Sequence, residues 1–144
     1  MSIFKISVTT EEWQKNLLSG PDQRMGLRVV EVGPDFIRAE ATVTDEHVQP
    51  MGFLHGGISC MLAEGLASAA GNAVLAGTGQ AAVGSQLSAW HLRPARSGET
   101  ITLMAKPKHL GRKTQLWGID IRNAGGKPVA EVNLSLSTID LEYL

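Results

Sequence analysis

Apolar and polar positions alternate along 36–43, with Ile37, Ala39, Ala41 and Val43 on one face and Arg38, Glu40 and Thr42 on the other. A period of two is the pattern of a strand with one face buried. It recurs at 99–108 (Ile101, Leu103, Ala105), at 114–122 (Trp117, Ile119, Ile121) and at 128–139 (Ala130, Val132, Leu134, Leu136). Residues 27–32 and 81–92 read as two further strands. Val32-Gly33-Pro34-Asp35 turns the first strand onto the second, and Asn123-Ala124-Gly125-Gly126 joins the last two. Between the two groups of strands, residues 56–76 are apolar around most of a helical circumference, which predicts a long helix buried on most sides. Gly77-Thr78-Gly79 ends it. Near the start, Thr9-Thr10-Glu11-Glu12 reads as a capping box, with Trp13, Leu17 and Leu18 following at helical spacing, and Gly20-Pro21 stops that short helix. The order of elements predicts an α+β fold, an antiparallel sheet packed on one buried helix.

Composition narrows the class. The 144 residues suit one domain, 1–144, large enough for a core without disulfides or metal staples. Cys60 is the one cysteine, which excludes a disulfide framework and fits a reducing, cytoplasmic setting. The first residues form no signal-peptide stretch. The apolar segment 56–79 contains Glu64, Ser59, Ser68 and Asn72, which argues for a buried helix and against a membrane span. There is no H-E-x-x-H, no Cys/His cluster with metal spacing and no P-loop, so no metal or cofactor is expected. Gly77-Thr78-Gly79-Gln80-Ala81-Ala82 matches a loose dinucleotide pattern, but it follows a helix and opens a strand, the reverse of the required context. A net charge of −1 gives no reason to expect nucleic acid or an acidic membrane as partner. The charge is unevenly spread, however. Residues 93–113 carry Arg93, Arg96, Lys106, Lys108, Arg112 and Lys113 against Glu99 alone, either a solvated edge or a grip for an anionic ligand.

Glu64 carries the strongest chemical signal. Histidines aside, it is the only charged residue between Glu46 and Arg93, midway along the most apolar segment. A carboxylate buried there without partners costs several kcal/mol, on the order of a lost ion pair, and low dielectric makes it a better base. It reads as a general base or nucleophile, against a structural glutamate bonded to backbone or to a partner subunit. Ser68, four residues on, shares its helix face and either orients a water or bonds back to the helix. His55-Gly56-Gly57 falls where the loop enters the helix, where free N–H groups and the helix dipole polarise a carbonyl. Gln49 adds a possible second donor from the same loop. Gly56 and Glu64 are separated by ~12 Å along one helix, so one chain cannot place both on a single carbonyl. If both act, two copies must pair, and a dimer is expected.

The run Gln49-Pro50-Met51-Gly52-Phe53-Leu54-His55-Gly56-Gly57, with Glu64 and Ser68 behind it, resembles hot-dog thioesterases, above all the 4-hydroxybenzoyl-CoA and 1,4-dihydroxy-2-naphthoyl-CoA hydrolases. The phenylacetate-pathway thioesterases, many with aspartate at the position of Glu64, are more distant. The likeness runs from about Met25 to Ile139 and includes Lys108-His109-Leu110-Gly111-Arg112-Lys113. It implies a long helix wrapped by a six-stranded antiparallel sheet, homodimers that usually pair into tetramers, and sites at the subunit interface. It implies hydrolysis of an acyl-CoA thioester, aromatic or short to medium aliphatic. Glu64 would attack or activate water, Gly56 N–H of the partner would polarise the carbonyl with Gln49 and His55 lining the same pocket, and Ser68 would hold the hydrolytic water or the carboxylate. Arg93, His109, Gly111, Arg112 and Lys113 would hold CoA. Two other readings stay open: a hydratase or dehydratase on the same fold, and a non-catalytic acyl-CoA-binding protein.

Overall fold

A computed structural model describes residues 1–7, 9–18 and 20–143. Helix α1 (Thr10–Asn16) begins at the predicted capping box: the Glu12 amide donates to Thr9 Oγ1 and the Thr9 amide to Glu12 Oε2. Trp13 on its inner face is buried, edge-on to Phe4 at 5.2 Å between ring centres. Gly20-Pro21 does not simply stop the chain as expected. Proline at the first helical position starts a second, single-turn helix α2 (Pro21–Arg24).

Strands β1 (Arg28–Val32) and β2 (Ile37–Thr42) precede the long helix α3 (Gly56–Leu75). Strands β3 (Gln80–His91), β4 (Thr100–Leu110), β5 (Thr114–Arg122) and β6 (Pro128–Asp140) follow it. All pairings are antiparallel, and the spatial order is β1-β2-β4-β5-β6-β3. The alternating residues named above all point inward and are buried. One row runs Ala39, Leu103, Ile121, Ala130 and His91 across five strands. Leu62, Ala63, Leu66, Ala67 and Ala70 of α3 close this core from the concave side.

The expectation of a helix buried on most sides is corrected. α3 is long and apolar enough to cross a membrane by length and composition, yet half of it packs on the sheet and the other half is open. Cys60, Met61, Gly65 and Ser68 on the open stripe are half-buried, and Glu64 is exposed. Small residues count as apolar in a sequence but need no cover, so the pattern does not reveal which face is packed.

The two sheet edges differ. At β1 the Gln14 side chain takes the place of a strand: its Nε2 donates to the Leu27 carbonyl (2.8 Å) and its Oε1 accepts from the Val29 amide (2.9 Å). At β3, among the described residues, only Ala82 is covered in this way, by the Asn72 amide at 2.9 Å in both directions. The register shift at Gly84/Gln86 marks a bulge at Ser85. Beyond it Leu87, Ala89 and His91 face the helix side and direct their backbone groups to the open edge.

Candidate active site

The loop into α3 is a tight turn. The Gly52 amide donates to the Gln49 carbonyl, with Gly52 at φ 81°, a conformation glycine adopts without strain. The Gln49 side-chain oxygen accepts from the Met51 amide, which leaves its NH2 free to donate. His55 is the N-cap: its Nδ1 accepts from the Gly57 amide at 2.9 Å, and its carbonyl accepts from Ile58 and Ser59. His55 is therefore held as the tautomer with its proton on Nε2. The Gly56 N–H is left as the amide of this first turn with no acceptor among the described residues. It opens into a cavity of about 340 Å³ lined by Gln49, Gly56, Ser59, His91 and Arg93.

His91 has no role in the sequence reading, because the bulge at Ser85 hides which face of β3 it occupies. Its ring lies over Gly56, where a Cβ would come within 2.9 Å of Nε2. Only glycine at the helix start lets the imidazole approach this closely.

Glu64 lies elsewhere. It is exposed on the open stripe of α3 and is not part of the cavity at Gly56, which corrects the expectation of a carboxylate enclosed in apolar surroundings within one chain. Its carboxylate rests on the backbone of Gly84 in β3, where any side chain would collide with Oε1. Ser68 sits one turn further on and makes no side-chain hydrogen bond among the described residues; its carbonyl accepts from Asn72. Burial, and then the charge of Glu64, holds the Cys60 thiol above its usual pKa, one turn before Glu64.

The basic cluster is also divided. The turn His109 to Lys113 adjoins the start of β3: Thr114 pairs with Ser137 of β6, which pairs with Val83, and the Thr138 amide donates to the Lys113 carbonyl. Arg93 is at the opposite end of β3, its guanidinium on the Pro128 carbonyl beside Gly56. Lys106 and Arg96 stand over Phe36 and Phe53. None of the six basic residues from Arg93 to Lys113 forms an ion pair among the described residues. One chain therefore carries two half-sites: an amide donor with His91 and Arg93 at one end of β3, a carboxylate with residues 109–113 at the other.

A sheet curled around one long helix, with an unpaired amide at the helix start and a lone acid eight residues on, defines the hot-dog thioesterase class. The thioesterase superfamily model matches residues 51–130, more than half of the chain, and the chain belongs to that family of thioester hydrolases. It is 38% identical over 139 residues to an esterase of Haemophilus influenzae, covering 96% of this chain and 99% of that one. It is 33% identical over 137 residues to the proofreading thioesterase EntH of Cronobacter turicensis, covering 95% and 98%. A solved Haemophilus influenzae thioesterase superposes with a TM-score of 0.90, covering 96% of both chains at 38% identity. The E. coli PaaI protein of the phenylacetic acid degradation operon superposes at 0.79 with 26% identity, covering 92% of this chain and 96% of that one.

Proposed function

We propose that the chain is a cytoplasmic acyl-CoA thioesterase, acting on aromatic acyl groups, whose active site is assembled between two copies of the chain. The supporting observation is the position of the half-sites on the open strand β3. Glu64 marks Gly84 and Gly56 marks His91. Antiparallel pairing of β3 with its copy about a two-fold axis at Ser88 sets Gly84 opposite the partner's His91, allowing for the bulge. Glu64 then meets the partner's Gly56 across the seam. In this register Leu87 and the partner's Ala89, both edge-facing, exchange backbone hydrogen bonds. The same rotation carries the partner's Arg93 to the end of the sheet that bears His109, Gly111, Arg112 and Lys113. One symmetry operation unites both halves of the chemistry and both halves of the basic grip.

In the shared site the thioester carbonyl accepts from the partner's Gly56 N–H at the positive end of α3, and the Gln49 amide adds a donor. Glu64 either attacks that carbon or removes a proton from water that does so, and Ser68 holds the water or the carboxylate. The thiolate of CoA leaves while the basic residues hold its phosphates. Trp90 and Leu116, exposed on the outer face of the sheet, are the apolar positions by which two dimers would join into a tetramer.

Complementation between subunits tests the reading. Glu64→Gln abolishes hydrolysis in a homodimer, and so does Gly56→Val, which drives a side chain into the His91 ring. Co-expressed, the two form mixed dimers with one site intact. Activity returns to about a quarter of wild type, since half the dimers are mixed and one of two sites works in each. No recovery would place the whole site within one chain, and turnover by Glu64→Gln would remove the carboxylate from the reaction.

A further inference from the structure

His47 is the one titratable side chain fully buried among the described residues, 4% exposed, and the proposed reaction makes no use of it. It ends the single 3-10 turn Asp45–His47 that follows β2. Its ring folds back on that turn. Nδ1 accepts from the Thr44 amide at 3.0 Å, and the His47 amide donates to the Thr44 carbonyl at 2.9 Å. The imidazole is therefore neutral, with its proton on Nε2. Thr44 is itself anchored, because Val43 before it bonds through its amide to Glu99 and through its carbonyl to Gly98, both at 2.8 Å. From His47 the chain runs out and returns as a short antiparallel ribbon. The His55 amide donates to the His47 carbonyl (2.8 Å), Val48 bridges Leu54, and the Gln49 amide donates to the Phe53 carbonyl (2.8 Å). Gln49 stands at the turn of this ribbon, and His55, the N-cap of α3, stands at its root beside His47.

We propose that His47 is a positioning residue whose neutral ring clamps the root of this ribbon and so aims the Gln49 amide and the Gly56 N–H at the thioester carbonyl. The inference rests on the reading of those two groups as the carbonyl-binding half of the site. The clamp works only while Nδ1 is an acceptor. A proton there makes it a donor facing the Thr44 N–H, and it leaves a cation in a buried place. The ring must then turn out, and the carbonyl that holds the His55 amide moves with it. Protons reach the ring from a cavity of about 660 Å³ that it lines. The charged groups of that cavity are Arg24 at the end of α2 and Asp45 and Glu46 of the 3-10 turn; the rest of its wall is uncharged. The Asp22 carboxylate of α2 lies instead on Gly65 of α3. Across the ribbon stands His55, whose own ring is engaged with the Gly57 amide. Hydrolysis therefore weakens as His47 gains a proton, although His47 exchanges none with the substrate.

The test compares wild type with two variants of the full chain. His47→Asn puts a side-chain oxygen near the position of Nδ1, an acceptor that does not titrate; His47→Leu fills the space without an acceptor. Above the titration of the ring, His47→Leu should lose about 10-fold in kcat with KM within about 2-fold, because the residues that hold CoA are untouched. His47→Asn should keep kcat within about 3-fold of wild type. As pH is lowered, wild-type kcat should drop with the same midpoint as the His47 ring signal in NMR, and His47→Asn should lack that drop while the limbs from His55 and Glu64 remain. A drop that persists unchanged in His47→Asn overturns the inference, and so does wild-type kcat in His47→Leu. If His47→Leu does not fold, the pH profile of His47→Asn decides. Deuterium exchange of the His55 amide, measured without substrate, reads the clamp directly. Once the ring is protonated, it should be about 10-fold faster in wild type than in His47→Asn at the same pH. Equal exchange in the two sinks the clamp alone, whereas turnover by Glu64→Gln sinks the reading of the site and the catalytic role of the clamp with it.

Discussion

Placing one methyl group on Gly84 separates the stability of this protein from its proposed catalysis. The backbone there is not in the left-handed region, so alanine fits it. The added Cβ overlaps Oε1 of Glu64, while Cδ sits at 3.4 Å, ordinary contact distance. The colliding atom is the far end of a flexible side chain, and the carboxylate clears the methyl by retreating about 1 Å. Alanine stabilises by about 0.4–1 kcal/mol by restricting the unfolded chain. A displaced glutamate rotamer costs about 0.5–1.5 kcal/mol. The two offset one another, and Tm should stay within about 4 °C of wild type. Catalysis has no such compensation, because a misplacement of about 1 Å at a reacting group costs on the order of 100-fold in rate. Gly84→Ala should therefore fold normally by calorimetry and lose about 100-fold in kcat. KM should change little, since the basic residues that hold CoA are not touched. Release of CoA, followed by chromatography so that the Cys60 thiol does not interfere, measures both constants. A folded variant with kcat within about 3-fold of wild type would refute the argument that Glu64 works from its seat on Gly84.

Two further outcomes follow from other contacts. Gln14→Ala strips two hydrogen bonds from the β1 edge and should cost about 1–3 kcal/mol, a fall in Tm of about 3–8 °C, with light scattering rising at high concentration as the bared edge finds partners. An unchanged Tm would mean that water replaces the amide without loss. Asp22 titrates higher in the folded than in the unfolded chain, so the stability it contributes is full below its unfolded pKa and lost as pH rises through the folded one. The groups that set this are the surrounding burial and Glu64. Asp22→Asn should raise Tm at neutral pH, and the difference should close as pH falls through the carboxylate range; a gap that is constant with pH would show that the charge is not the cause.

How legible this was depended on what each residue had to say. The four alternating strands were written in period two, and all their inward residues are buried. α1 was written in its capping box. α2 was not, because four residues hold too little periodicity, and Gly20-Pro21 reads equally as an end or a beginning. The oddity of Glu64 was visible as a lone charge in an apolar run. Its surroundings were not, because alanine, glycine, serine and cysteine tolerate either face of a helix. The basic residues from Arg93 to Lys113 are contiguous in sequence, yet β4 lies between their ends and carries them about 35 Å apart. Neither Asp22 nor His91 could be found from spacing, since each reaches α3 from a distant element and is recognised only by the glycine it rests on.

The difference between the two sheet edges gives the proposed pairing its direction. Both β1 and β3 offer unpaired backbone groups, and an unprotected edge recruits any strand available. Gln14 covers β1 with a side chain that occupies its backbone groups. Asn72 does the same on β3, but only at Ala82, before the bulge. From Leu87 to His91 the edge has no such cover among the described residues. Pairing there cannot slide freely, because a one-residue slip would turn Leu87 and Ala89 to the wrong face, and a slip toward Ala82 would displace Asn72. The stretch left open is the one flanked by Glu64 at Gly84 and by Gly56 at His91. The same features that restrict where a second copy can dock thus restrict it to the register in which an acid and an amide, ~12 Å apart along one helix, can act on one carbonyl.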